Sequence, residues 1–263
     1  MSDPAPITSA KNPIVARFRA AATGDAPDLF LVEGRKLIAE ALDAKLAAVE
    51  AAYDADRLAP GEELLARLRR AGARVTPCAP SVCARLSSVS TPQGIAAVFR
   101  RPVFRDEDLL GRAPALVVVA AGVKEPGNLG ALVRAAEAAG AGGVLALRGG
   151  ADPFRDKAVR GAAGSSFRLP VRGGVPVADA LAFVVRYGLR LFVLAEDGEV
   201  DYLDADLREP CAVALGGEGE GLPDELRAAA AACVRVPMAG RVDSLNVAVA
   251  AGVVLYEARR QRR

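Results

Sequence analysis

The run ALVVVAAG at 115–122 constrains the fold more than any other stretch. It has no polar residue on alternate positions, so neither face of a strand built from it can meet water. Strands buried on both faces belong to parallel sheets covered by helices. Further apolar runs follow: GGVLAL at 142–147, a short FRLPV at 167–171, LRLFVLAEDG at 189–198, AVAL at 212–215 and CVRV at 233–236. Between them lie stretches with helical spacing at 129–139, 177–188 and 224–231, and a last one from Ser244. This alternation predicts an α/β fold with a parallel sheet and helices on both faces.

The first hundred residues alternate too, on a smaller scale. Helices are expected at 7–22, 35–44 and 62–71, the last stopped by Gly72, with strands in LFLVEG, VEAAYDA, ARVTPCA and TPQGIAAVFR. The polar stretch 100–114 carries two prolines. The expected organisation is a smaller N-terminal α/β domain at 1–105, a linker at 106–114 and a second domain at 115–263.

No apolar run approaches the roughly 18 residues of a membrane helix, and the first residues lack the apolar core of a secretion signal. The four cysteines include no CxxC pair, so free thiols in a reducing cytoplasm are expected. Histidine is absent. That excludes a Ser-His-Asp triad, a Cys-His dyad and any His-ligated metal, and no metal is expected. The 34 basic and 32 acidic residues leave a net charge of +2. Residues 1–105 hold 15 basic and 11 acidic residues and the remainder 19 and 21. An acidic partner would therefore be met by local patches.

Three loops carry the functional signal. The first, GVKEPGNLG, follows the strand at 115–122. Gly122 and Gly127 match the glycine spacing of a P-loop, but the next residues are Asn128 and Leu129 where Lys and Ser or Thr are required. Gly122, Gly127 and Gly130 do not form GxGxxG, and no acid closes the next strand to hold a ribose. Asn128 reads as a helix cap or a site residue. Arg134 reads as a solvated residue, an i,i+3 partner of Glu137, or a site residue. The second loop, LGGEGEGL, sets Glu218 among Gly216, Gly217, Gly219 and Gly221, where backbone approaches a ligand closely or merely turns. The third, RVPMAGRVDSLN, places Val236, Met238 and Leu245 in a loop and Ser244 and Asn246 at a helix start. Simple capping by Asp243 or Ser244 is the competing explanation. After it, Val249, Val253 and Tyr256 form an apolar face suited to a core or an oligomer interface.

In order and separation, NLGALVRAAEAAG, LGGEGEGL and VPMAGRVDSLNVAVAAGVVLYE resemble the three motifs of the SpoU/TrmH-type RNA ribose methyltransferases of the SPOUT class. ITSAKNP, FLVEGRKLIAEAL and TPQGIAAVFRRP resemble the substrate-binding domain of members acting on ribosomal RNA. The resemblance implies a deep trefoil knot near the C-terminus, S-adenosylmethionine as methyl donor, and a homodimer with composite sites. Carried over by motif position, Gly216, Gly217, Val236, Met238 and Leu245 would contact the cofactor. Asn128, Arg134, Glu218, Ser244 and Asn246 fall on catalytic positions. Gly217 departs from the pattern, many members having Asn there, and little consequence is expected because Glu218 is kept.

The implied reaction is attack of a ribose 2′-hydroxyl on the sulfonium methyl. The expected RNA contacts are Lys11, Arg17, Arg19, Arg155, Lys157, Arg160 and Arg168, with Arg67 and Arg69 beside them. Large-subunit ribosomal RNA is expected over transfer RNA because of the N-terminal phrases. The competing classes are an NADP-dependent oxidoreductase using Arg148 and a non-catalytic RNA-binding module.

Overall fold

A computed structural model describes residues 5–87, 89, 91–217 and 221–263. The chain divides into two compact units, Met1–Pro102 with Phe154–Arg160, and Val103–Pro153 with Gly161–Arg263.

In the first unit the elements run α1 (Pro13–Thr23), β1 (Leu29–Glu33), α2 (Arg35–Asp43), β2 (Ala48–Asp54), α3 (Glu63–Arg70), β3 (Arg74–Cys78), α4 (Pro80–Leu86) and β4 (Ile95–Arg100). The sheet order is β1-β4-β2-β3, with β4 antiparallel to β1 and β2, and β2 parallel to β3. Ile14, Phe18 and Ala21 of α1 pack on Leu31, Ala52 and Val98 of the sheet. The expected helix at 7–22 begins only at Pro13. Proline disfavours helical backbone before it but suits the first helical position, and Asn12 caps the helix by accepting a hydrogen bond from Ile14 N. Ile7 instead bridges to Cys78. Helix α4 gave no clear periodic signal because it spans barely two turns.

The second unit contains β5 (Leu116–Ala121), α5 (Pro126–Ala139), β6 (Gly143–Leu147), α6 (Asp156–Ala162, begun in the first unit), α7 (Ser165–Arg168), β7 (Val171–Val175), α8 (Val177–Arg186), β8 (Arg190–Leu194), β9 (Val200–Asp201), β10 (Cys211–Gly216), α9 (Asp224–Ala228), β11 (Ala232–Arg235) and α10 (Val247–Gln261). Seven strands form one sheet in the order β7-β6-β5-β10-β8-β11-β9, every pair parallel. Alternation along β5 divides the core as a pleat requires. Val118 and Ala120 face Leu129, Leu132 and Val133 of α5 and Val254 of α10. Val117 and Val119 face Ala180 and Phe183 of α8 and Leu226 of α9.

Several boundaries differ from expectation. Residues 167 and 168 are helical and the strand starts at Val171, since Pro170 cannot donate to a ladder. Helix α9 stops at Ala228, because Ala231 N already bonds Leu191 O at 2.7 Å on the way into β11. The last helix starts at Val247, not Ser244, with Asn246 as its cap. Phe154–Arg160 packs with the first unit although the second domain was expected to hold all of 115–263. The Phe154 ring meets Phe30 edge-on at 5.2 Å, and Arg155 Nε donates to Thr23 O at 2.9 Å. The stretch 106–114, expected as a linker, is tied to the second unit. Leu109 is fully buried beneath its sheet, Arg172 and Arg186 both donate to Asp106, and Tyr187 donates to Glu107.

Candidate active site at the strand ends

Parallel strands put all their carboxyl ends on one edge, where such sheets bind ligands. Four loops leave that edge together: after β5, after β8, after β10 and after β11. Gly217 N extends the β10–β5 ladder by donating to Ala121 O at 2.7 Å, and Gly217 then bridges to Gly221. The glycines here answer to close packing. A Cβ on Gly216 would lie 2.7 Å from Gly221 C, and one on Gly217 would lie 1.9 Å from Gly122 O. The expectation that position 217 matters little therefore meets a steric limit: in this backbone no side chain fits there.

The loops after β8, β10 and β11 enclose a cleft of about 860 Å3, within the usual range for small-molecule sites. Gly216, Gly217, Val236, Met238 and Leu245, expected at the cofactor, all line it, as does Ser244. Leu215 and Leu222 add apolar wall. Glu218 lies outside the described residues.

Asn128, Arg134 and Asn246 are placed differently. Among the described residues none of them lines this cleft. Asn246 Oδ1 accepts from Ala248 N at 3.0 Å and so caps α10, while its Nδ2 donates to Asn128 Oδ1 at 3.0 Å. The cap is thus Asn246, neither Asp243 nor Ser244. Asn128 does not cap α5 either, because Glu125 does, accepting from Gly127 N. One amide pair therefore joins the start of α5 to the start of α10. Arg134 is exposed on α5. The competing pair with Glu137 is not made: both Glu137 oxygens accept from Arg168, at 2.7 and 2.9 Å. Burial alone would raise the Glu137 carboxyl, but the Arg168 and Ser165 hydrogen bonds hold it below its ordinary value.

The charged rim of the cleft was missed from sequence. Glu196, Asp197, Arg227 and Arg235 all line it. Arg227 donates from both terminal nitrogens to Asp197, at 2.9 and 3.1 Å, and this guanidinium holds the Asp197 carboxyl below its usual range. The available signal was AED directly after the β8 run, at the same sheet edge as the glycine loop.

Much of the expected RNA-binding charge is engaged within the protein. Arg17 forks onto Glu50, Arg67 donates to Asp43, Arg69 to Pro60 O and Arg160 to Asp156. With Arg155 on Thr23 O and Arg168 on Glu137, these cations are anchored in place. Lys11, Arg19 and Lys157 are exposed.

The SpoU rRNA Methylase family profile matches residues 115–256. The chain belongs to that family. The MRM3-like substrate binding domain profile matches residues 23–97. The 23S rRNA (guanosine-2′-O-)-methyltransferase RlmB of Ralstonia nicotianae is 34% identical over 76% of this chain and 82% of its own length. An uncharacterized tRNA/rRNA methyltransferase of Mycobacterium leprae is 40% identical over 60% of this chain, a match spanning 52% of that relative. The AdoMet-bound rRNA methyltransferase of Sinorhizobium meliloti superposes with a TM-score of 0.87 at 32% identity, over 97% of each chain. SpoU membership replaces the dinucleotide alternative. No described helix is long and apolar enough to cross a membrane.

Proposed function

We propose that this SpoU family member transfers the methyl group of S-adenosylmethionine to the 2′-hydroxyl of one ribose in large-subunit ribosomal RNA, in the cytoplasm. The observation that carries this reading is the cleft itself. Five residues from two separated motifs line it, and two of them, Gly216 and Gly217, bring main chain with no side chain to its wall. Those features fit the cofactor: apolar side chains for a flat ring, bare backbone for its polar edge, and open volume beside it for a nucleotide.

Bound there, the cofactor supplies an electrophilic methyl on a good leaving group, which leaves the protein to position the hydroxyl and handle one proton. Arg134 stays protonated, so it is no base. Its guanidinium would pair with the adjacent phosphate and stabilise the alkoxide as it develops. The proton leaves to water, directly or through the Ser244 hydroxyl on the cleft wall. The Asn128–Asn246 pair holds the two helix starts in register, and Glu218 would steady the glycine loop.

Arg134 lies outside its own chain's cleft, so this role assigns it to the cleft of a second copy. Val249 and Tyr256 are about half exposed on α10, the helix that packs beside α5. An apolar face of that kind supports a homodimer built on these helices. The expected knot, with α10 drawn through the loops that precede it, belongs to the same reading. The N-terminal unit would choose the RNA by shape and unpaired bases, with exposed Lys11, Arg19 and Lys157 meeting phosphates.

The decisive experiment incubates the purified protein with labelled S-adenosylmethionine and protein-free large-subunit ribosomal RNA, then maps 2′-O-methylation by primer extension at low nucleotide concentration. A single new stop is expected. Incorporation into transfer RNA alone would overturn the substrate assignment, and label on a base would overturn the reaction.

A further inference from the structure

Among the described residues, the charged groups that line the cleft are the carboxylates of Glu196, Asp197 and Asp243 and the guanidiniums of Arg227 and Arg235. Asp197 and Arg227 neutralise one another through two hydrogen bonds. Glu196 and Arg235 are exposed and have no partner among the described residues. Two opposite charges left open on one cleft, carried on neighbouring chain segments, are complementary to a ligand that carries both signs on one atom.

Their closeness is fixed by backbone. Strands β8 and β11 pair in parallel with Val234 opposite Leu194, and Ala195 N donates to Val234 O at 2.9 Å. Continuing that register brings Arg235 level with Ala195, one strand spacing of about 4.8 Å away, and Glu196 is the residue directly after Ala195. The turn carrying Glu196 is pressed onto β11, since a Cβ on Gly198 would lie 2.6 Å from Val234 C. Neither side chain has to move a loop to reach the cleft.

We propose that Glu196 and Arg235 bind the amino-acid end of the cofactor, Glu196 accepting from its α-ammonium and Arg235 donating to its α-carboxylate. This rests on the assignment of the cleft as the cofactor site. The apolar walls, Leu215, Leu222, Val236 and Leu245, then serve the adenosine end. A third acid on the cleft, Asp243, sits in the loop after β11 beside Ser244. It is not paired across a strand spacing with a cation, and it takes no part in tail binding.

Two thioethers test this without turnover. S-adenosylhomocysteine has the amino-acid end and 5′-methylthioadenosine lacks it, while both carry the same adenosine. Calorimetric titration of the full chain should show tighter binding of the first. E196Q and R235Q should each weaken S-adenosylhomocysteine roughly tenfold, the scale of one exposed charge-assisted hydrogen bond, and leave 5′-methylthioadenosine unchanged. D243N should leave the preference intact. Unchanged 5′-methylthioadenosine binding also reports that each variant is folded. The proposal is overturned if the wild-type chain does not prefer the longer ligand, if E196Q and R235Q keep the preference, or if they weaken both ligands alike. A wild-type chain that binds neither thioether nor S-adenosylmethionine refutes the cofactor-site reading instead.

Discussion

Asn246 makes two hydrogen bonds with different meanings, and they can be separated. Its Oδ1 caps α10 through Ala248 N, and its Nδ2 reaches Asn128 Oδ1, both at 3.0 Å. A residue serving only as a cap should be replaceable by any good cap. Serine ranks with asparagine at that position, but it is too short to reach Asn128. Asn246→Ser therefore keeps the helix start and removes the bridge, whereas Asn246→Ala removes both.

The magnitudes follow. The cap is worth about 1 kcal/mol. The bridge is a neutral, exposed hydrogen bond worth roughly 0.5–1 kcal/mol. Asn246→Ala should then cost about 1.5–2 kcal/mol and Asn246→Ser about 0.5–1 kcal/mol. At roughly 2–4 °C per kcal/mol for a domain of this size, the expected falls in Tm are about 3–8 °C and 1–4 °C. Activity should not follow stability. If the bridge aligns the two helix starts for the reaction, both variants should lose at least tenfold in kcat/KM, about 1.4 kcal/mol of transition-state stabilisation. The assay is methyl transfer at 15 °C below the lower Tm, paired with scanning calorimetry of each variant. Wild-type turnover in Asn246→Ser would refute the argument and reduce Asn246 to a cap.

Other positions test neighbouring steps. Arg134→Ala should lower kcat by two orders of magnitude or more while calorimetry shows unchanged S-adenosylmethionine affinity; lost affinity would remove Arg134 from the chemistry. Gly216→Ala must push Gly221 aside from 2.7 Å, and equilibrium dialysis should show S-adenosylmethionine binding weakened at least tenfold with the fold retained. Arg262 donates to the carbonyls of Leu207, Pro114 and Glu209 at 2.7–2.8 Å, clasping the chain end to the starts of β5 and β10. Arg262→Ala should cost about 2–3 kcal/mol in urea unfolding, and a change below 0.5 kcal/mol would deny the clasp. Glu137 has a carboxyl held below 4.5 by Arg168 and Ser165 against the effect of burial. Because the folded value is the lower one, its stabilisation is present above the unfolded value and is lost as pH falls through the folded one. Glu137→Gln should therefore flatten the loss of stability below about pH 4.5, while an unaltered acid limb would show that the pair contributes nothing.

Strands β5, β6 and β10 were legible because burial on both faces leaves an apolar run with no ambiguity of period, whereas the two-residue, half-buried β9 left no such signal. The three loops were legible because glycine and asparagine clusters interrupt such runs. Sheet order was not. Nothing local in AVAL reveals that β10 inserts between β5 and β8, since neighbours in a parallel sheet are set by crossovers and not by adjacency in sequence. The same reason hid the rim: Glu196 and Asp197 follow β8, and only the insertion of β10 brings their loop to the glycine loop. The internal partners of the cations were hidden for another cause. Arg17, Arg67 and Arg168, counted from sequence as phosphate contacts, also have acidic partners distant in sequence, Glu50, Asp43 and Glu137.

Gly217 shows how the two levels combine. Motif comparison reads it as asparagine replaced by glycine, a change that removes a side chain and asks nothing of its surroundings. The backbone reverses the direction of inference. Gly122 takes φ +66°, and its carbonyl comes to where a Cβ on residue 217 would sit, 1.9 Å away. Glycine at 217 and glycine at 122 are then one adaptation: the second turns its carbonyl into the space that the first leaves empty. The loop after β5 therefore comes closer to the glycine loop after β10 than an asparagine at 217 would permit. A family position that looks like a tolerated loss is, in this chain, part of what sets the geometry of the strand-end loops.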